Sequence, residues 1–320
     1  MFDVVALGEL LIDFAPKSVN EEGYPTLAAN PGGAPGNFLA ALNMYGCSTA
    51  MVGKVGDDMF GRLLVKTLEK AGIETRGILV DPDVFTTLAF VSLDASGNRD
   101  FSFARKPGAD TCLKPDEVDE SLIAQSRVFH FGTLSLTSEP AASATRRAIE
   151  LAKAHGVLIS LDPNLRKPLW KSEADAKAAI EWSLRQADIV KISDEEIEFL
   201  WGLSPEAGAE KLLHEYGVSL AYITLGPKGC YAATASCSVT VSSPSGIHVV
   251  DTTGAGDIFG GSAMSQFLQY KKSPSDLTEE ELRQIVRFAC TAASLSTQKH
   301  GGITSVPSKQ DVLDKLNQNT

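Results

Sequence analysis

Asp251-Thr252-Thr253-Gly254-Ala255-Gly256-Asp257 lies between an apolar run, residues 247–250, and a helix-like run ending near Tyr270. The stretch reads as a strand-to-helix junction with small residues between two carboxylates. Glycines at 254 and 256 let the backbone turn sharply and turn its N–H groups outward. The first turn of a helix carries unpaired donors and the positive end of the macrodipole, so it attracts anions. A carboxylate in that turn is odd if the loop only holds an anion. As a partner of the dipole alone, Asp257 would contribute ~0.3–1 kcal/mol. It has a larger task if it takes a proton from a group that attacks the anion, and phosphoryl transfer joins those two features.

Working outward, the chain beyond residue 125 alternates strand-like and helix-like runs. Strands are predicted at 128–131, 157–161, 189–192, 220–225, 229–233 and 247–250. Helices are predicted at about 138–155, 172–186, 194–201, 205–215, 256–270, 279–297 and 309–317. Such alternation implies an α/β fold with a mostly parallel sheet covered on both faces, and ligands beyond the carboxyl ends of its strands. Polar clusters follow the predicted strands: Asp162-Pro-Asn164-Leu-Arg166, Ser193-Asp-Glu-Glu196, Gly226-Pro-Lys228-Gly229 and the opening stretch.

The N-terminal third is less regular. A strand over 3–7 ends in Gly8-Glu9-Leu-Leu-Ile-Asp13, and residues 15–30 read as polar and irregular. Pro31-Gly32-Gly33-Ala34-Pro35-Gly36-Asn37 then opens an amphipathic helix running to Tyr45. A strand at 49–53 and a helix at 58–71 follow, with Asp57 or Asp58 as its cap. Residues 86–103 alternate like a hairpin, with the turn at Asp94-Ala-Ser-Gly97-Asn98. No repeat, low-complexity tract or interdomain linker breaks the 320 residues, which read as one domain.

Composition removes several classes. A net charge of −11 argues against a nucleic-acid partner, so an anionic ligand must be held locally. No run approaches the ~20 apolar residues of a membrane span, and no basic-then-apolar leader opens the chain; a cytoplasmic protein is expected. The five cysteines include no C-x-x-C pair and the five histidines no metal-ligand spacing. Neither a P-loop nor a G-x-G-x-x-G fingerprint is present; after Gly254 and Gly256 the third glycine, Gly260, comes one position late. Two classes stay open on the residues alone: a phosphotransferase, and a non-catalytic sugar- or nucleotide-binding protein.

Two motifs together resemble the PfkB, or ribokinase-like, carbohydrate kinase family. One is Gly32-Gly33-Ala34-Pro35-Gly36-Asn37 with Gly53-Lys-Val-Gly56-Asp57-Asp58-x-Phe60-Gly61; the other is 251–257 with Phe259-Gly260-Gly261. Within it the chain is most similar to the bacterial fructokinases, through Gly8-Glu9-x-x-Ile12-Asp13, Arg105 before Pro107-Gly108-Ala109-Asp110, and Asp162-Pro163-Asn164-x-Arg166. The resemblance implies a three-layer α/β/α fold with a central, mostly parallel sheet and a small β-sheet lid formed by about 11–33 and 84–107. In many relatives such lids pair into a homodimer.

The activity implied is transfer of a phosphoryl group from ATP to the C6 hydroxyl of D-fructose, with 2-keto-3-deoxygluconate, ribose or a nucleoside as alternative acceptors. Asp257 would be the general base, and the amides of Gly254, Ala255, Gly256 and Asp257 the anion hole. Asp13, Gly33, Asn37 and Arg105 would bind the sugar, and Arg166 the phosphate. Thr224, Gly226 and Gly229 resemble the ATP-phosphate loop. Glu196 would organise Mg²⁺ through water, although Ser193 stands where relatives carry asparagine. A monovalent cation such as K⁺ would sit near the backbone of Asp251, Thr253, Gly301 and Ser305.

Overall fold

The computed structural model describes residues 1–93 and 99–318. Strand β1 (Phe2–Leu7) sends Val4 and Ala6 into one core cluster and Val5 and Leu7 into another. A strand buried on both faces needs helices over both. The chain continues through β2 (Leu11–Val19), β3 (Pro25–Gly32), α1 (Ala34–Met44), β4 (Thr49–Gly56), α2 (Met59–Lys70) and β5 (Glu74–Asp81). Next come β6 (Thr87–Leu93), β7 (Arg99–Ala104) and the short α3 (Glu120–Ala124). The regular alternation then runs through β8 (Ser126–Gly132), α4 (Ala141–Ala154), β9 (Leu158–Asp162), α5 (Glu173–Leu184) and β10 (Ile189–Ser193). It is completed by α6 (Asp194–Trp201), α7 (Pro205–Glu215), β11 (Leu220–Thr224), β12 (Cys230–Ala233) and β13 (Ser238–Val241). Three helices close the chain: α8 (Ala255–Tyr270), α9 (Glu279–Ser296) and α10 (Lys309–Gln318).

Among the described residues nine strands form the main sheet, in the order β13-β12-β11-β10-β9-β8-β1-β4-β5. All its pairings are parallel except β11 with β12 and β12 with β13. Leu39, Leu64, Ile258, Ile285 and Val312 cover one face from α1, α2, α8, α9 and α10. Leu122, Ala148, Ile180, Ile197 and Leu212 cover the other from α3 to α7. The result is a three-layer α/β/α architecture. A second, four-stranded sheet runs β3-β2-β6-β7. The turn predicted at 94–98 lies outside the described residues.

Asp58 ties the two sheets together. Its carboxylate caps α2 by accepting the amides of Phe60 and Gly61, and it also accepts the amide and hydroxyl of Thr86, just before β6. Four charge-assisted hydrogen bonds to one buried carboxylate hold its pKa below the usual range, although burial alone would raise it.

Two expectations need correction. Residues 15–30 are not irregular, because β2 and β3 pair antiparallel from Leu11↔Gly32 to Val19↔Pro25. Their outer halves are exposed on both faces, so no alternation marks them. Pro16 borders a register shift, and Pro25 opens an edge strand, the places where proline is tolerated. Residues 247–250 are not a strand; β13 takes the sheet edge instead, and the amides of Val250 and Asp251 both donate to the carbonyl of Thr297. The edge strand β5, with its polar start, carries no readable period and was not predicted at all.

Candidate active site

The 254–257 loop opens α8 from a left-handed turn at Gly254, φ 74°. No side chain fits there: a Cβ would lie 2.9 Å from Gly302 Cα and 3.1 Å from Asn37 Nδ2. Helix α8 reaches α1 through Gly260 and Gly261, whose missing side chains make room for Phe38. That close packing brings Asn37, in the first turn of α1, to Asp257, in the first turn of α8, and Asn37 Nδ2 donates to Asp257 Oδ2 at 2.8 Å.

Beneath the loop lies a charged layer at the carboxyl ends of β9 and β10. Lys191 Nζ donates to Asp162 Oδ2 at 2.9 Å. A Cβ on Gly256 would stand 3.0 Å from that ammonium, so glycine keeps the two close. Burial alone would discharge Lys191, but Asp162, Glu196 and Asp257 outweigh it and hold its pKa above the ordinary value. Asp257 is shifted the other way a carboxylate usually goes in an ion-pair site. Burial, then repulsion from Asp162, push it up to about 7 against the hydrogen bond from Asn37 and the charges of Lys191 and Arg166. A carboxyl poised near neutrality is suited to accept a proton.

Two cavities adjoin at this loop. The larger, about 990 Å³, is lined by Thr224, Gly226, Gly229 and Glu196, with an apolar end that includes Ile247, Val249 and Ala293. The smaller, about 320 Å³, is lined by Glu9, Asp13, Gly33, Asn37, Phe103 and Leu134. Asn164, Arg166, Lys191, Thr252 and Gly256 border both. Ala255 faces only the larger cavity and Asp257 only the smaller. The loop is therefore a partition, with Ala255 on one side and Asp257 on the other.

The residues predicted for the site separate into three groups. Asp13, Gly33, Asn37, Arg166 and Asp257 come together around the smaller cavity, and Thr224, Gly226, Gly229 and Glu196 around the larger. Glu196 already accepts the amide of Leu165 at 2.7 Å and that of Ser193 at 2.9 Å, closing a capping box on α6. Serine serves there as well as asparagine because both are good N-caps. Carboxylate oxygens offer about four acceptor sites, so Glu196 keeps room for water beside a divalent ion. Asp251, Thr253 and Gly301 are drawn together because the Asp251 carboxylate accepts the Thr253 amide at 2.9 Å and the Gly301 amide at 3.2 Å. Ser305 closes the same corner by donating to Gly302. Among the described residues no group of three or more His, Cys, Asp or Glu side chains is set to hold a metal.

Arg105 is the exception. All three of its guanidinium nitrogens are engaged, with Asp110 at 2.6 and 2.9 Å, Thr137 Oγ1 at 2.8 Å and the Leu134 carbonyl at 3.1 Å. It stands behind the cavity wall instead of in it. Conversely, Lys191, Asn164 and Glu9 were not predicted as site residues and line the cavities. Lys191 looks like any interior strand position in sequence; only the acidic residues that gather round it reveal a charge. Asn164 has a positive φ of 48°, which turns it out of the strand end. Glu9 holds the Ala34 amide at 2.9 Å, and its burial raises its pKa.

Among the described residues no helix is long and apolar enough to cross a membrane. Known proteins resemble this chain over nearly its whole length. Residues 1–309 match the pfkB family carbohydrate kinase profile. Fructokinase-2 of Solanum lycopersicum is 41% identical over 319 residues, 98% of this chain and 95% of that protein. The structure of a fructokinase with bound ATP from Xylella fastidiosa superimposes with a TM-score of 0.90 at 28% identity, covering 100% of this chain and 99% of the other. A double mutant of fructokinase from Vibrio cholerae O395, in a fructose, ADP and potassium ion bound form, gives 0.88 at 29% identity over 98% of each chain. The chain belongs to the pfkB family of carbohydrate kinases.

Proposed function

We propose that the protein transfers the γ-phosphoryl group of ATP to the C6 hydroxyl of D-fructose. The observation that carries the reading is the partition: donor and acceptor chambers that meet at one loop, with Asp257 open only to the smaller. The larger chamber suits a nucleotide, its apolar end for the base and its glycine turns at 226 and 229 for the phosphates. Asp13 and Asn37 offer a carboxylate and an amide to the hydroxyls of a sugar in the smaller one. Asp257 accepts the proton of the attacking hydroxyl while the amides of Gly254, Ala255, Gly256 and Asp257 hold the transferring group. Lys191 and Arg166, bordering both chambers, balance the charge that develops between them.

Glu196 would hold Mg²⁺ through water, and the ion would supply charge neutralisation on the phosphates. The corner of Asp251, Thr253, Gly301 and Ser305 suits a monovalent cation such as K⁺, held by backbone carbonyls. The small sheet acts as a lid that closes over the sugar and keeps water from the phosphoryl group. Its exposed apolar side chains, Val19, Tyr24, Leu27 and Phe90, support pairing of two lids in a homodimer.

Purified protein with Mg·ATP, assayed by coupled ADP release against a panel of sugars and nucleosides, tests the proposal. Fructose is expected to be the preferred acceptor. Faster turnover of 2-keto-3-deoxygluconate, ribose or adenosine would move the substrate, and no turnover on any acceptor would leave a binding protein on this fold.

A further inference from the structure

A third cavity, of about 420 Å³, lies where the end of β13 meets α9. Arg283, Arg287 and Thr291 line it from α9, and Ser242, Ser243 and Ser245 from the segment that follows β13. A spacing of four puts the three α9 residues in one row along the helix. No carboxylate lines the cavity, although the chain as a whole carries a net charge of −11.

The fold gives the two arginines little to do. Arg283 gives one nitrogen to Glu279 at 2.6 Å, in an exposed pair of the kind that contributes little. The guanidinium of Arg287 is exposed and, among the described residues, makes no hydrogen bond or ion pair. Like charges four residues apart on a helix repel, which costs stability that an anion lying against the row would restore. Arginine stays charged at every physiological pH, and its planar fork matches the oxygens of a phosphate. The serine and threonine hydroxyls supply further donors.

The cavity shares a wall with the nucleotide chamber, because Ser243 and Pro244 border both. Helix α9 serves both as well, turning Cys290, Ala293 and Ser294 to the nucleotide chamber beside Thr291. The turn at Gly229 packs on the same segment: a Cβ there would lie 2.8 Å from Ser242 Cα and 2.9 Å from the Ser243 nitrogen. An anion that bridges α9 and residues 242–245 therefore draws together two walls of the nucleotide chamber.

We infer that this cavity is a second, regulatory site for a small phosphate-bearing molecule, and that its occupancy weakens the binding of ATP. Its volume falls within the range of small-molecule sites, ~300–1,000 Å³, with room for a hexose phosphate. The binding itself stands apart from the sugar-kinase reading; the effect on ATP rests on that reading.

For the test, full-length protein saturated with Mg·ATP, without sugar, is titrated calorimetrically with glucose 6-phosphate and separately with inorganic phosphate. One site per chain is expected, with a dissociation constant of about 1 mM or tighter for glucose 6-phosphate. Affinity should fall by about tenfold or more in Arg287→Gln, the loss of one charge-assisted contact, and should weaken as ionic strength rises. Tighter binding of glucose 6-phosphate than of phosphate makes the ligand a sugar phosphate; equal binding makes it free phosphate. Without either anion, Arg287→Gln should match wild type in kcat and in melting transition.

In steady-state assays with fructose, glucose 6-phosphate should raise KM for ATP severalfold and then reach a plateau. Arg283→Gln combined with Arg287→Gln should not respond. A rise without a plateau would mean competition inside the nucleotide chamber and overturns the inference. Absence of binding to wild type, or equal binding by the double variant, overturns it too. Failure of wild type to use fructose would sink the proposed function and leave the calorimetric result standing, so the two failures are distinguishable.

Discussion

The side-chain amide of Asn37 donates to the carboxylate of Asp257 across 220 positions of sequence, at 2.8 Å. The bond joins the first turns of two helices and fixes the proposed base against the sugar-side wall. It also stabilises the ionised form of Asp257, in opposition to the burial that raises its pKa.

Asp257→Asn should therefore keep the fold and the affinity for ATP while losing turnover by ~10²–10⁴-fold, the usual contribution of a positioned base. Calorimetric titration with ATP and a steady-state assay with fructose measure the two separately. Activity near that of wild type would put the base elsewhere.

The pH profile follows from the same group. With Asp257 titrating at about 7, kcat/KM should fall tenfold per unit below that pH and level off above it. Asn37→Ala removes a bond that favours the charged form, so its profile should move to higher pH. The folded state binds this proton more tightly than the unfolded chain, where the carboxyl titrates near 3.8. Its stabilising effect is complete below that value and is lost as pH rises through 7. Asp257→Asn should then melt a few degrees higher than wild type at pH 8, measured by calorimetry.

Gly256→Ala tests the closeness of the loop to the charge beneath it. The added methyl would stand 3.0 Å from Lys191 Nζ, at the far end of a side chain that can yield. The protein should fold normally and lose ~10–100-fold in kcat, because a shift of an ångström in such a site is felt at that scale. An unaltered kcat would show that Lys191 need not lie under the loop.

Asp58→Ala removes the cap of α2 and the acceptor for Thr86 together. Loss of the cap and of a buried acceptor should lower stability by about 2–4 kcal/mol in urea unfolding, a sum of the two typical effects. A change below about 1 kcal/mol would mean that the link between the sheets carries little energy.

What could be read from the chain follows the physics of each element. The central strands are apolar on both faces and the helices have strong caps, so Ile189–Ser193, Asp194–Trp201 and Pro205–Glu215 stand out in sequence. β2 and β3 do not, since their outer ends face solvent on both sides and gain stability from pairing alone. Residues 247–250 have the composition of a strand but pair with none, and Ile247 and Val249 line a cavity instead. The loop at 251–257 was legible because glycine and aspartate there have few other uses. Lys191 and the silenced Arg105 were not, because a charge means what its neighbours make of it.

The segment of residues 242–250 belongs to no ladder; it hangs between the edge strand and the loop that opens α8, moored by the Thr297 carbonyl. Changing its length or composition would disturb no strand register and none of the contacts of Asn37. Drift in that tether is free to remodel the nucleotide chamber while the acceptor chamber stays as it is. Phosphoryl-donor preference and sugar preference can then diverge independently among descendants of such a chain.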